Sequence, residues 1–172
     1  FGPGGARVEK VAPVGLSLID PDGPHGVALA PDGQHYYVST AHGLPGGSLW
    51  KFRTATDEPV GRVVLGPFPA TAQVSPDGFF VWVVNFNLHG DMVTSSVSVV
   101  EAREMLEIAR IPTTRRVVRG AAISADDRYA FISNEGVGSE KSTVDIIDLR
   151  ALRRVASVEV GQQAGGVDVL KD

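Results

Sequence analysis

One turn, written three times, constrains this chain more than any other feature. Pro31-Asp32-Gly33, Pro76-Asp77-Gly78 and Ala125-Asp126-Asp127 stand 45 and then 49 residues apart, and an aromatic-rich run follows each. The runs are Tyr36 to Thr40, Phe79 to Asn85 and Tyr129 to Asn134. Pro presets φ at the first corner, the Asp side chain caps the turn, and Gly accepts a positive φ without a Cβ clash. The third copy places Asp127 where the others have Gly, and Asp tolerates that conformation better than most residues do.

Small residues precede each turn: Gly26 to Ala30, Ala70 to Val74 and Gly120 to Ser124. Large ones follow, among them Tyr36, Tyr37, Phe79, Phe80, Trp82, Tyr129 and Phe131. This order suits a wedge, in which strands near a crowded axis have little room and those further out fill a widening gap. Two further apolar runs complete each unit. They are Ser48 to Phe52 with Val60 to Leu65, Ser95 to Val100 with Leu106 to Ile111, and Thr143 to Ile147 with Arg153 to Glu159.

Four strands per repeat of about 45 residues mark the blade of a β-propeller. The expected fold is therefore all-β, a propeller of four-stranded antiparallel blades, with residues 1–172 forming a single propeller segment. Within it, 6–23 reads as the outer strand of a preceding blade and a connector, 24–66 as blade 1, 67–115 as blade 2 and 116–161 as blade 3. Residues 162–172 read as the inner strand of a following blade. The segments Ala102 to Leu106 and Asp148 to Leu152 have some helical character, yet their place between outer strands predicts hairpin turns. Propellers have four to eight blades, so the ring is expected to be incomplete within this chain. Its completion is expected from a protein partner, from self-association, or from residues of a longer protein, and the start at Phe1 reads as processed or excerpted.

Charge and composition narrow the partners. A formal charge of −4 and a pI near 5.5 argue against nucleic acid, which requires a concentrated cationic surface; Arg115, Arg116 and Arg119 read as a solvated turn. No apolar run approaches the roughly 18 residues of a membrane span. With no cysteine, disulfides, thiolate zinc sites and iron–sulfur clusters are excluded.

The second-strand tetrapeptides Tyr37-Val38-Ser39-Thr40, Trp82-Val83-Val84-Asn85 and Phe131-Ile132-Ser133-Asn134 resemble the YVTN family of β-propeller repeats. The resemblance extends to the Pro-Asp-Gly turns and to the third-strand runs Ser96 to Val100 and Val144 to Asp148. It covers about residues 6–172. It implies a periplasmic or secreted location and a binding scaffold, while similar propellers carry lactonase, quinoprotein, haem d1 and copper centres.

Strand direction gathers the candidate site residues. His25 sits at a blade entry, His42 and His89 in the loops joining second and third strands, and all three project to one expected face; His35 belongs to the other. With the thioether of Met92 these imidazoles suit copper or another transition metal, whereas Asp91 and Glu135 would favour zinc or iron. The simpler reading, favoured because the spacing is not a ligand motif and the loops lie on different blades, is that these are loop residues whose ring nitrogens satisfy local backbone groups. Trp50, Asn87, Asp91, Glu135 and Glu140 are assigned to the binding-face loops. Asn85 and Asn134 are expected to bridge strand end to loop, and Asp126 with Asp127 to serve the turn. No catalytic residue is assigned, because no nucleophile motif is present. The expected function is a non-enzymatic binding module, an extracytoplasmic subunit or part of a larger assembly. The alternative is a metal-centre propeller with an oxidoreductase or electron-transfer role, and a lactonase-like hydrolase comes third.

Overall fold

The computed structural model describes residues 23–41, 46–86 and 95–170. The strand expected within 6–23 lies outside them, apart from Gly23. Among the described residues every strand belongs to one of three antiparallel meanders. The first is β1 (Gly23–Leu29), β2 (His35–Ala41), β3 (Ser48–Arg53) and β4 (Pro59–Val64), hydrogen-bonded in that order. The second is β5 (Pro69–Val74), β6 (Phe80–Asn85), β7 (Ser96–Glu101) and β8 (Leu106–Pro112). The third is β9 (Val117–Ile123), β10 (Tyr129–Glu135), β11 (Thr143–Asp148) and β12 (Arg153–Glu159).

The repeated turn does what its residues require. Gly33, Gly78 and Asp127 hold φ values of 68°, 77° and 53°, and their N–H groups donate to Ala30, Ser75 and Ser124 at 2.9, 2.8 and 3.0 Å. Asp32, Asp77 and Asp126 each accept a backbone N–H two residues on, from Gln34, Phe79 and Arg128. Between third and fourth strands a second left-handed corner repeats, at Asp57, Met105 and Leu152, and each is accompanied by a register shift in the ladder. Glu101 and Asp148 accept the corner's N–H groups. These segments are hairpin turns, with no helix among them.

Alternation along the strands gives every sheet two faces, and the sheets meet face to face. Tyr37, Leu49 and Leu65 of the first pack on Val81, Val83, Val100 and Met105 of the second. The opposite face of the second sheet, with Trp82, Val84, Val97 and Val99, packs on Ala130, Ile132 and Ile147 of the third. The fourth strands are mostly exposed. Inner strands β1, β5 and β9 line a common cleft of about 550 Å³ through Val27, Ala72, Val74 and Ala122, which accounts for the small residues before each turn.

Asp168 and Val169 line the same cleft. A Cβ added to Gly120 of β9 would lie 3.3 Å from Gly166 Cα and 3.4 Å from Val167 N. Residues 163–170 thus run beside β9, where the inner strand of a following blade is expected, and among the described residues they carry no strand ladder. A strand exists by pairing, and no described strand neighbours this stretch on its far side.

Candidate functional site on the strand-entry face

Pairing of Gly23 with Ala41, and of Leu29 with Tyr36, puts the entry of β1 and the β2–β3 connection at one end of the sheet. The Pro-Asp-Gly turn lies at the other. His25 is at the entry end and exposed. His42, Asn87, His89, Asp91 and Met92 lie outside the described residues.

What meets His25 is an aromatic row. Its ring centroid is 4.5 Å from that of Phe68, Phe68 is 5.6 Å from Phe86, and the Arg119 guanidinium lies 4.4 Å over the Phe86 ring. Arg119 Nε then donates to Glu135 at 2.5 Å. The row crosses all three sheets: His25 from β1, Phe68 before β5, Phe86 after β6, Arg119 from β9 and Glu135 at the end of β10.

Local sequence explains the placement. His25, Ala70 and Arg119 occupy one repeat position, each six residues before its turn's first corner, so the scaffold aims the outer two at a common end. Phe68 stands between Pro67 and Pro69, with φ of 54°, and its carbonyl accepts the Phe86 N–H at 2.8 Å. A positive φ at a phenylalanine is strained, and that conformation carries the ring between His25 and Phe86.

Glu140 is at the same end, 3.3 Å from Arg115, which also lies 3.7 Å from Glu159 and donates to the Lys141 carbonyl at 2.9 Å. Arg115 and Arg119 are thereby engaged rather than forming the solvated turn expected. Trp50 is not a loop residue: it sits within β3 opposite Val38 and Arg62, beside Phe52 and with the Arg62 guanidinium 5.2 Å from its ring. Asn85 and Asn134 bond across the sheet to the third strand, at Ser96, Ser98 and Thr143, instead of to a loop. Phe68, Phe86 and Arg119 escaped the sequence reading, although the Pro-Phe-Pro triplet and the shared position of His25 and Arg119 were both visible in it.

Chemically, the row offers an exposed imidazole, the half-exposed edge of Phe68, and a guanidinium held over the buried Phe86 ring with an ion pair at its end. Cation–π contact and stacking suit recognition of another surface. Among the described residues no group of three or more His, Cys, Asp or Glu is placed to hold a metal ion, and of the expected ligands only His25 and Glu135 fall within them.

No family profile matches the chain, and no curated protein matches it. Solved structures do. Kuenenia stuttgartiensis hydrazine synthase matches 80% of this chain and 37% of its own, with a TM-score of 0.70 and 25% identity. U3-55K matches at 0.69 and 12% identity, over 90% of this chain and 47% of its own. The WD40 repeats of RRP9 match at 0.67 and 11% identity, over 86% and 42%. The fold is a β-propeller. Its three sheets are blades, and the chain spans less than half the length of each of these structures.

Proposed function

We propose that this chain is a non-catalytic propeller module that binds protein through its strand-entry face, within a larger extracytoplasmic assembly of the YVTN type. The observation that carries the reading is the row from His25 to Glu135, which joins three blades at one face and presents His25 and Arg119 to solvent over a half-buried Phe68 and a buried Phe86. Aromatic and arginine side chains dominate the energetics of protein recognition, because they bury large area at little entropic cost. The YVTN-like tetrapeptides support the family and the location. The WD40-type neighbours support interaction as the use of the fold. A second contact surface is the face of blade 1 turned away from blade 2, where Val27, Leu29 and Val64 are 71%, 61% and 60% exposed; a further blade from the same protein or from a partner covers it in this reading.

The test is comparative cross-linking in the native source, followed by affinity measurement on the polypeptide identified. Wild type, Arg119→Glu on the entry face and Arg103→Glu on the turn face are compared. A single polypeptide whose affinity falls at least tenfold with Arg119→Glu and is unchanged with Arg103→Glu supports the reading. Equal behaviour of the two variants, or no polypeptide captured by wild type, overturns it.

A further inference from the structure

At the turn face, blade 3 departs from its siblings at two corner residues, Ala125 in place of Pro and Asp127 in place of Gly. Gly33 and Gly78 fill the left-handed corner in blades 1 and 2, and Gly78 faces Pro31 of the preceding turn, with a Cβ there 3.6 Å from the proline ring. Asp127 takes that corner in blade 3, and its Oδ2 accepts the Asp77 N–H of the preceding turn at 3.1 Å. Its Oδ1 is buried without a hydrogen-bond partner. Asp77 is itself a carboxylate whose Oδ1 accepts from Ser75 Oγ at 2.5 Å and from Phe79 N at 2.9 Å. The two acids therefore face each other across the seam between blades 2 and 3, where Ser75, Phe80, Leu149 and Leu152 wall a small cavity.

We propose that Asp127 is a proton-operated clasp between the turns of blades 2 and 3, drawn tighter by acid. When ionised, Asp127 gives the Asp77 N–H an acceptor, but it sets two negative groups side by side with one buried oxygen unsatisfied. Protonation removes the repulsion and turns that carboxyl into a donor, which can bond Asp77 while Oδ2 keeps its N–H.

The charged groups that bear on Asp127 are Asp77 from the β5–β6 turn, Asp126 and Arg128 from its own turn, and Arg150 from the β11–β12 turn, on the same cavity wall. Burial first, and then Asp77 and Asp126, push the Asp127 carboxyl above its ordinary value of 3.8, with the Asp77 N–H pulling the other way. Asp126, fully exposed and bonded by Ser124, is held below that value. The sign follows. The folded state binds this proton more readily than the unfolded chain, so ionised Asp127 costs stability above its folded midpoint. That cost fades as pH falls through the midpoint towards 3.8.

The test is a carboxyl-carbon NMR titration of the full chain, wild type against Asp77→Asn, with thermal unfolding of wild type, Asp127→Asn and Asp127→Gly from pH 7 to pH 3.5. Asp127 is expected to titrate above 3.8 and to move down in Asp77→Asn, which retains the acceptor and lacks the charge. Asp127→Asn is expected to melt roughly 2–4 °C above wild type at pH 7, with the gap closing towards pH 3.5. Asp127→Gly separates the backbone contribution, which is pH-independent. An Asp127 midpoint at or below 3.8, or one unmoved by Asp77→Asn, overturns the proposal even if neither Asp127 variant folds.

Discussion

The two seams between blades are built from the same repeat by different means. One repeat position, opposite Val38, Val83 and Ile132 in the register, holds Trp50, Ser98 and Asp145 in turn. Ser98 faces blade 1 across a seam closed by shape: Tyr37, Leu49 and Met105 interlock, Gly26 lies against the Ala70 carbonyl and Ser39 Oγ donates to that carbonyl. Asp145 faces blade 2 and is wholly buried. It accepts the Thr114 N–H at 2.8 Å and the Thr114 hydroxyl, and lies 3.6 Å from Arg154, which also bonds Thr114. Close packing tolerates no added atom, whereas a buried network tolerates no missing partner. The repeat therefore supplies a common outline, and each seam is vulnerable to a different kind of change.

Breaking the charged seam should cost most. Asp145→Ala leaves the Thr114 N–H and part of Arg154 without an acceptor, and should lower stability by about 3 kcal/mol. Urea unfolding would read this as a lower midpoint with an unchanged slope. An effect below that of a surface substitution would show that Thr114 and Arg154 find other partners. The close-packed seam should respond instead to an added methyl. A Cβ at Gly26 would overlap the Ala70 carbonyl, whereas one at Gly120 would meet Ser133 Oγ at 3.1 Å and Gly166 Cα at 3.3 Å. Gly26→Ala should therefore cost about 1–3 kcal/mol and Gly120→Ala, which lies against residues 163–170 and not in the seam of blades 2 and 3, clearly less; no loss on Gly26→Ala would show that the first seam is not closed by shape.

The smallest effect at neutral pH belongs to Tyr37. Burial, and then Asp32 and Glu101, push its phenol up to about 12 from 10.0. Since the folded chain holds this proton more tightly, stability is complete below pH 10 and declines between about 10 and 12 as unfolded tyrosine ionises. Tyr37→Phe should leave the pH 7 melting temperature nearly unchanged and flatten its alkaline decline. Phenolate absorbance of the folded wild type that rises fully by pH 10.5 would contradict the cause assigned.

Much of the scaffold was legible because it is periodic. The Pro-Asp-Gly corners, the strand count and the hairpins follow from local residue chemistry repeated three times. Asp32 shows how directly: its carboxylate accepts the Gln34 N–H as a turn aspartate should. The site was less legible because its members are far apart in the chain. His25 and Arg119 share a repeat position, but nothing local indicates that Phe68 and Phe86 would close the space between them. Arg115 and Arg119 read as solvated in sequence because Glu140, Glu159, Glu135 and Phe86, which engage them, come from distant parts of the chain. Trp50 was placed by its nearness to a loop, and the ladder shows that it lies two residues inside the strand.

Sequence alone determined that this chain forms four-stranded antiparallel blades, because turn preference, alternation and residue size act over a few neighbours and recur with the period. The tertiary structure decided what each seam is made of and which side chains share the entry face. Those outcomes depend on contacts between positions some 40 to 50 residues apart, as between Thr71 and Arg119 or Asp77 and Asp127. A repeat makes such positions equivalent, but only the packed blades determine whether they meet as shape, as charge, or as a ring under a guanidinium.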